Sequence, residues 1–257
     1  MKKILASLAC GAMLASTASS DMIKIEGGAG IWQQTPSGDA EYTDATTVDG
    51  ENKFDEDQLN KGYVWMLIKH PIPIVPNLRL EYTSLESTGK ATGEFKDYTV
   101  TVGAEADTFI EMKQYDIIPY FNILDNLGWT TVDIGLDLKV VEASYKADGV
   151  IDNDTGFPIN YSDSATVVIP LLYLRARVEF PATNLAVEAD TKYISYGDSY
   201  LIDTRAKIDY TLDFVPVIKP AIEVGYRYQG YKFDDDDQDG KIDLTFSGFY
   251  AGVMLRY

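Results

Sequence analysis

Phe246-Ser-Gly-Phe-Tyr-Ala-Gly-Val-Met-Leu-Arg-Tyr257 closes the 257-residue sequence, at the end of a run that begins at Ile242. Counting back in twos from Tyr257 gives Leu255, Val253, Ala251 and Phe249, an apolar row. The alternate row carries Arg256, Gly252 and Gly248, small or charged. A period of two places these rows on opposite faces of a β-strand. A soluble sandwich would turn the apolar row into a protein core, whereas a sheet closed in lipid would turn it outward. The rest of the chain decides between the two.

Nine further runs of alternating character precede this one, at 22–33, 61–69, 78–85, 108–123, 130–143, 165–180, 185–195, 200–213 and 218–233. The clearest is 130–143, with Val132, Ile134, Leu136, Leu138 and Val140 on one face and Asp133, Gly135, Asp137 and Lys139 on the other. With 242–257 the count is ten, an even number. The connections sort by length: those after the second, fourth, sixth and eighth runs are short. Those after the first, third and fifth are long and polar, and those after the seventh and ninth are shorter but still polar. A sandwich has no reason to sort its loops this way. A barrel in an outer membrane does, with short turns on the periplasmic side and longer loops outside. The expected fold is therefore all-β, a ten-stranded antiparallel transmembrane β-barrel with short periplasmic turns and longer acidic extracellular loops. Its final strand, with Phe249, Val253, Leu255 and Tyr257 outward and an aromatic end, resembles the assembly signal of bacterial outer-membrane barrels. In that family the last strand pairs with the first, leaving no open edge.

The charged row then becomes an interior. Arg79, Glu81, Asp133, Asp137, Lys139, Arg175, Arg177, Glu179, Glu188, Asp190, Lys192, Asp203, Arg205, Lys207, Asp209, Glu223 and Arg227 are expected to line one lumen. Ten strands enclose a space between the filled eight-stranded barrels and the water-filled porins. Mixed charges at such proximity should pair and largely fill it. The competing expectation is a narrow polar conduit.

Met1-Lys-Lys, the apolar stretch 4–15 and the small residues Ser16-Thr-Ala18 read as a cleaved secretory signal, ending after Ala18 or Ser20. Residues 1–20 are thus assigned to the signal and 21–257 to the barrel. The lone cysteine, Cys10, falls within that signal and lacks the aliphatic residue three places earlier that lipidation would need. A mature chain without cysteine has no disulfide or thiolate chemistry. A net charge of −18 and a pI near 4.3 exclude nucleic acid as a partner.

Several segments carry a resemblance in order: Asp116-x-x-Pro119-Tyr120, Leu124-Asp125-Asn126, Val132-Asp-Ile-Gly-Leu136, Pro170-Leu-Leu-Tyr173-Leu-Arg-Ala176, Ile194-Ser-Tyr-Gly-Asp198 and Gly225-Tyr-Arg227. They resemble a family of proteobacterial outer-membrane β-barrel proteins whose molecular function is not established. The resemblance implies architecture and an outer-membrane location in a Gram-negative bacterium. It also implies contact with outer-membrane lipid, lipopolysaccharide and the barrel-assembly machinery. It supplies no catalytic residues.

Nor does the chain's own chemistry. His70 is the single histidine and falls in the Pro-rich connection 70–77, on the periplasmic side, where a hydrolase of the outer surface has no use for a base. No enzyme activity and no cofactor are expected. Asp235-x-Asp237-x-Asp239-Gly240 matches the front of a calcium loop, but the twelfth position is Phe246 instead of a bidentate Glu. Weak calcium binding by Asp235, Asp237 and Asp239, or by Asp152-Asn-Asp154, is the only metal expectation. Trp32, Trp65, Trp129, Tyr226 and Tyr257, near strand ends, are expected in interfacial girdles. The sequence leaves two functions open: a narrow channel or carrier for small solutes, or a structural or surface-interaction barrel with a charge-filled lumen and acidic cation-binding loops.

Overall fold

A computed structural model of the chain describes residues 23–42, 49–72, 74–124, 129–214, 217–235 and 240–257. The signal segment lies outside the described residues. In chain order the strands are β1 (Lys24–Tyr42), β2 (Gly50–Phe54), β3 (Leu59–Lys69), β4 (Asn77–Thr92), β5 (Tyr98–Thr99) and β6 (Ala106–Leu124). They continue as β7 (Thr130–Asp152), β8 (Pro158–Glu179), β9 (Leu185–Tyr196), β10 (Ser199–Thr211), β11 (Lys219–Asp235) and β12 (Gly240–Arg256). Apart from the short β2 and β5, these are the ten strands expected from alternation, and each pairs antiparallel with its neighbours.

Closure is made by β12 against β1, from Glu26↔Arg256 to Tyr42↔Gly240. At its lower end Ile25 and Tyr257 exchange two backbone hydrogen bonds, of 3.0 and 2.8 Å. The first and last strands thus leave no free edge between them, as a lipid environment demands. Small residues allow a large one beneath the seam: a Cβ on Gly252 would lie 2.4 Å from the Tyr63 hydroxyl and 2.6 Å from the Ala29 carbonyl.

The outer wall is apolar around the barrel. Phe249, Val253 and Leu255 on β12, Ile222 and Val224 on β11, and Leu136 on β7 are all exposed. A surface of this kind is stable against hydrocarbon and not against water. Tyr226 belongs to it, edge-on to Phe249 with ring centroids 5.2 Å apart, and Tyr257 sits at its lower limit.

The two ends differ. One carries the connections from β3 to β4, from β8 to β9 and from β10 to β11. At the other, segments expected as polar loops prove to be strand. β1 continues to Tyr42, β4 to Thr92, and β7 and β8 run through most of 144–164 as one hairpin. The short β5 pairs Tyr98 and Thr99 with Asp152 and Ile151 of that hairpin. A small apolar core at this end, of Ala91, Tyr98, Val100, Ala106, Ala147 and Val150, holds the extension together. These strands escape a sequence reading because beyond the lipid both faces meet water or a thin local core, so the apolar row disappears.

The extension is lopsided. β9 and β10 are short, joined by a tight turn at Gly197-Asp198, and β8 pairs with β9 only over Leu172–Glu179. Above Leu172, β8 has β7 as its sole strand partner among the described residues. Pro170, which has no N–H to offer, stands where that second ladder stops.

Candidate functional site

The interior of the barrel is its chemically distinctive region. Alternation turns the second row of every strand inward, so charged residues from different strands meet in one enclosed space. Arg79, Glu81, Asp133, Asp137, Lys139, Arg175, Arg177, Glu188, Asp190, Lys192, Asp203, Arg205, Lys207, Asp209, Glu223 and Arg227 are all buried there. Glu179 lies on the same face but at the turn end, where its side chain is half exposed and pairs with Arg177 at 3.0 Å.

Burial of so many charges is tolerable only if they neutralise one another. Three hubs do this. Glu188 receives Arg175 at 2.7 Å, Arg177 at 3.2 Å, Arg79 at 3.4 Å and Lys207 at 3.5 Å. Asp203 takes Arg227 in a bidentate pair of 2.9 and 2.8 Å, with Lys139 at 3.2 Å and Lys192 at 3.4 Å. Glu81 binds Arg79, Lys192 at 2.7 Å and Arg205. Arg205 also reaches Asp190 at 2.6 Å, and Arg175 reaches Asp133 at 2.6 Å. Near the turn end Arg177 and Arg256 share Asp209, at 2.6 and 2.7 Å.

Asp137 is the exception. It is fully buried, it makes no ion pair, and neither carboxyl oxygen has a hydrogen-bond partner. Its register partner on β8 is Leu171, and Ile118 faces it from β6; both are buried apolar residues.

Sequence reasoning missed part of this network. Asp116 forms an ion pair with Lys139 at 2.7 Å and accepts a hydrogen bond from Lys192 at 2.9 Å, and Glu26 pairs with Lys24 at 2.8 Å. Alternation within 108–123, with Tyr115 and Ile117 outward, was sufficient to place Asp116 inside. Trp32 and Trp65 correct an expectation: they are buried in the lumen and are not interfacial. Arg227 stacks on Trp32 at 5.0 Å, and Trp65 is flanked by Arg79 at 5.0 Å and Lys207 at 4.5 Å. The indole N–H of Trp65 and the hydroxyl of Tyr63 both donate to Glu223 Oε1, at 3.1 and 2.7 Å. An aromatic ring lets desolvated cations lie against carbon without losing electrostatic compensation. Their positions also explain why 61–69 is apolar on both faces: Tyr63, Trp65 and Leu67 point inward.

Toward the loop end an apolar layer follows the charged one. Leu85, Met112, Val141, Leu201, Leu244 and Phe246 belong to a single buried cluster. The inner row of β12 thus holds Phe246, Tyr250 and Met254 besides its small residues. At the turn end a vestibule of about 720 Å³ remains, lined by Lys24, Lys69, His70, Glu179, Asp213 and Lys219 among others. His70 serves the turn: its ring lies 3.1 Å from the Pro76 carbonyl, and its backbone N–H donates to Asn77 Oδ1 at 2.9 Å.

Of the metal expectations, Asp237, Asp239 and the Asp235 side chain lie outside the described residues. Asp152 Oδ1 accepts the Thr155 hydroxyl at 2.8 Å and the N–H groups of Thr155 and Asp154 at 2.7 and 3.1 Å. These bonds, that to the Thr155 hydroxyl foremost, hold its carboxyl below the usual aspartate range. Asp152 Oδ1 is thus engaged within its own turn, and Asn153 Oδ1 accepts the Thr99 hydroxyl at 2.7 Å.

No family model and no curated protein matches the sequence. Among solved structures, the chain is similar to the outer membrane protease OmpT from Escherichia coli, at 12% identity and a TM-score of 0.52, covering 94% of this chain and 99% of that one. The transport unit of the autotransporter AIDA-I from E. coli matches at 10% identity, a TM-score of 0.40 and 98% and 97% coverage. The translocator domain of the autotransporter NalP from Neisseria meningitidis matches at 11%, 0.38, and 97% and 92%. The first of these likenesses, over nearly the full length of both chains, shows the fold: that of a bacterial outer-membrane β-barrel.

Proposed function

We propose that this chain resides in the outer membrane of a Gram-negative bacterium as a barrel closed by its own side chains, acting at the cell surface through its extended sheet and conducting no solute. The observation that carries this reading is the ion-paired interior. Each buried cation from Arg79 to Arg227 has a carboxylate within 3.5 Å, and the apolar layer lies above them. A water-filled path would need these pairs to separate, at several kcal/mol for each uncompensated ion. What remains for function is the end that carries the acidic extension, and the sorting of turns and strands supports reading it as the outer one. Contact with lipopolysaccharide follows from that location. A hydrolytic role is not proposed, because the one histidine is engaged in the opposite end.

The test is solute entry into proteoliposomes. Vesicles carrying the refolded protein are expected to swell in an isosmotic small sugar no faster than empty ones. Swelling that scales with protein content would refute the closed-lumen reading and restore the channel.

A further inference from the structure

The free margin of β8 offers a binding surface. Along this strand, Phe180 donates its N–H to Leu185 of β9, while Glu179 donates to Trp129, on the β7 side. Backbone groups of an antiparallel strand alternate in direction, so even-numbered residues address the β9 side. The register of β8 against β7 is unbroken from Tyr161 to Val178, so this parity holds upward. There β9 has ended. Ser162, Thr166 and Val168 thus turn N–H and C=O groups to a side with no strand partner among the described residues, and Ser164 does the same with its N–H covered by Asp163 Oδ1 at 2.7 Å. Every residue from Ser162 to Val168 is exposed.

Protein edges of this kind are ordinarily blunted by lysine, proline, glycine bulges or a covering loop. Between Pro158 and Pro170 this edge has no lysine, no proline and no glycine, and its one charge is Asp163. The two prolines bound it, so the unpaired ladder has a defined length. Its surroundings are acidic on balance: Glu142, Asp148, Asp152, Asp154, Asp163 and Asp198 all belong to this hairpin or to the short turn beside it, against the one exposed lysine there, Lys146, in register with Ser162. The chain's charge of −18 makes a second copy an unfavourable occupant and a cationic chain a favourable one.

We infer that this margin of β8 binds an extended, lysine- or arginine-rich segment of another polypeptide, which adds a strand beside Ser162–Val168. Main-chain bonds would give the affinity and the acidic rim the preference for basic sequence. This deepens the surface-interaction reading and rests on it, but its failure is separable, since peptide binding and solute flux are read independently.

The experiment uses the full barrel refolded in detergent micelles and a fluorescein-labelled decapeptide of alternating Lys and Thr, followed by anisotropy. Saturable binding is expected at low ionic strength. It should weaken roughly tenfold or more when alternate peptide nitrogens are methylated, which removes strand hydrogen bonds and leaves the charge. Thr166→Pro deletes an edge N–H without touching the β7 ladder and should weaken binding similarly. Val168→Lys, a surface change, serves if the proline variant loses its heat-modifiable gel shift. A Glu–Thr decapeptide should not bind. Equal binding of the methylated probe, binding of the acidic probe, or no binding of the Lys–Thr probe would overturn the inference. So would self-association of the barrel that Thr166→Pro abolishes, because the occupant would then be a second copy.

Discussion

Asp203 and Glu188 are both acidic hubs, and removing their charges should have unequal consequences. Glu188 meets four cations, but each keeps another carboxylate: Arg79 has Glu81, Arg175 has Asp133, Arg177 has Asp209 and Lys207 has Glu223. Asp203 meets three cations. Lys139 and Lys192 keep Asp116, whereas Arg227 has no other carboxylate in hydrogen-bond reach and retains only the Thr83 hydroxyl at 2.8 Å and the Trp32 ring. Asp203→Asn therefore leaves a buried guanidinium uncompensated, at about 3–5 kcal/mol. Glu188→Gln loses charge-assisted bonds without orphaning an ion, at about 1–3 kcal/mol. Replacing the whole pair, Asp203→Leu with Arg227→Met, should return stability to within about 1–2 kcal/mol of the parent, since desolvation of both ions is also removed. The assay is equilibrium urea unfolding in phospholipid vesicles, followed by tryptophan emission. A larger loss for Glu188→Gln than for Asp203→Asn, or a double variant no better than Asp203→Asn, would refute the pairing scheme.

Three further outcomes follow from the same interior. Asp137→Asn should leave urea stability unchanged or raise it, because the carboxylate makes no ion pair and no hydrogen bond and its register partner Leu171 is apolar; a loss like that of Asp203→Asn would mean a partner exists. Arg175→Ala with Arg177→Ala removes the cations shared by Asp133, Glu188 and Asp209, so the temperature at which the unboiled gel band converts should fall; an unchanged midpoint would contradict the filling role. Brominated acyl chains should fail to quench Trp32 and Trp65 in a Trp129→Phe variant, since both indoles face the lumen; quenching there would return them to the lipid interface.

Much of the fold was legible because lipid enforces alternation. In 130–143 and 165–180 the outer face must be apolar, so Asp133, Asp137, Lys139, Arg175 and Arg177 stand out against it. Legibility ended where that solvent ends: Ser162-Asp-Ser164 reads as loop because neither of its faces is buried, yet it is strand. Within the membrane, aromatic residues were the ambiguous ones. Trp32 and Trp65 suit a lipid interface and a ring stacked against cations equally well by composition alone. Which carboxylate meets which cation was also out of reach, since Glu188 and Arg79, or Glu81 and Lys192, come together only through closure of the sheet.

Closure of the lumen is tested most directly by single-channel recording across a planar bilayer. The ion-paired interior predicts silence from the refolded wild-type protein at protein amounts that insert stably. Steady unitary current steps from that protein would contradict it, and would mean that the buried pairs part to leave a conducting path.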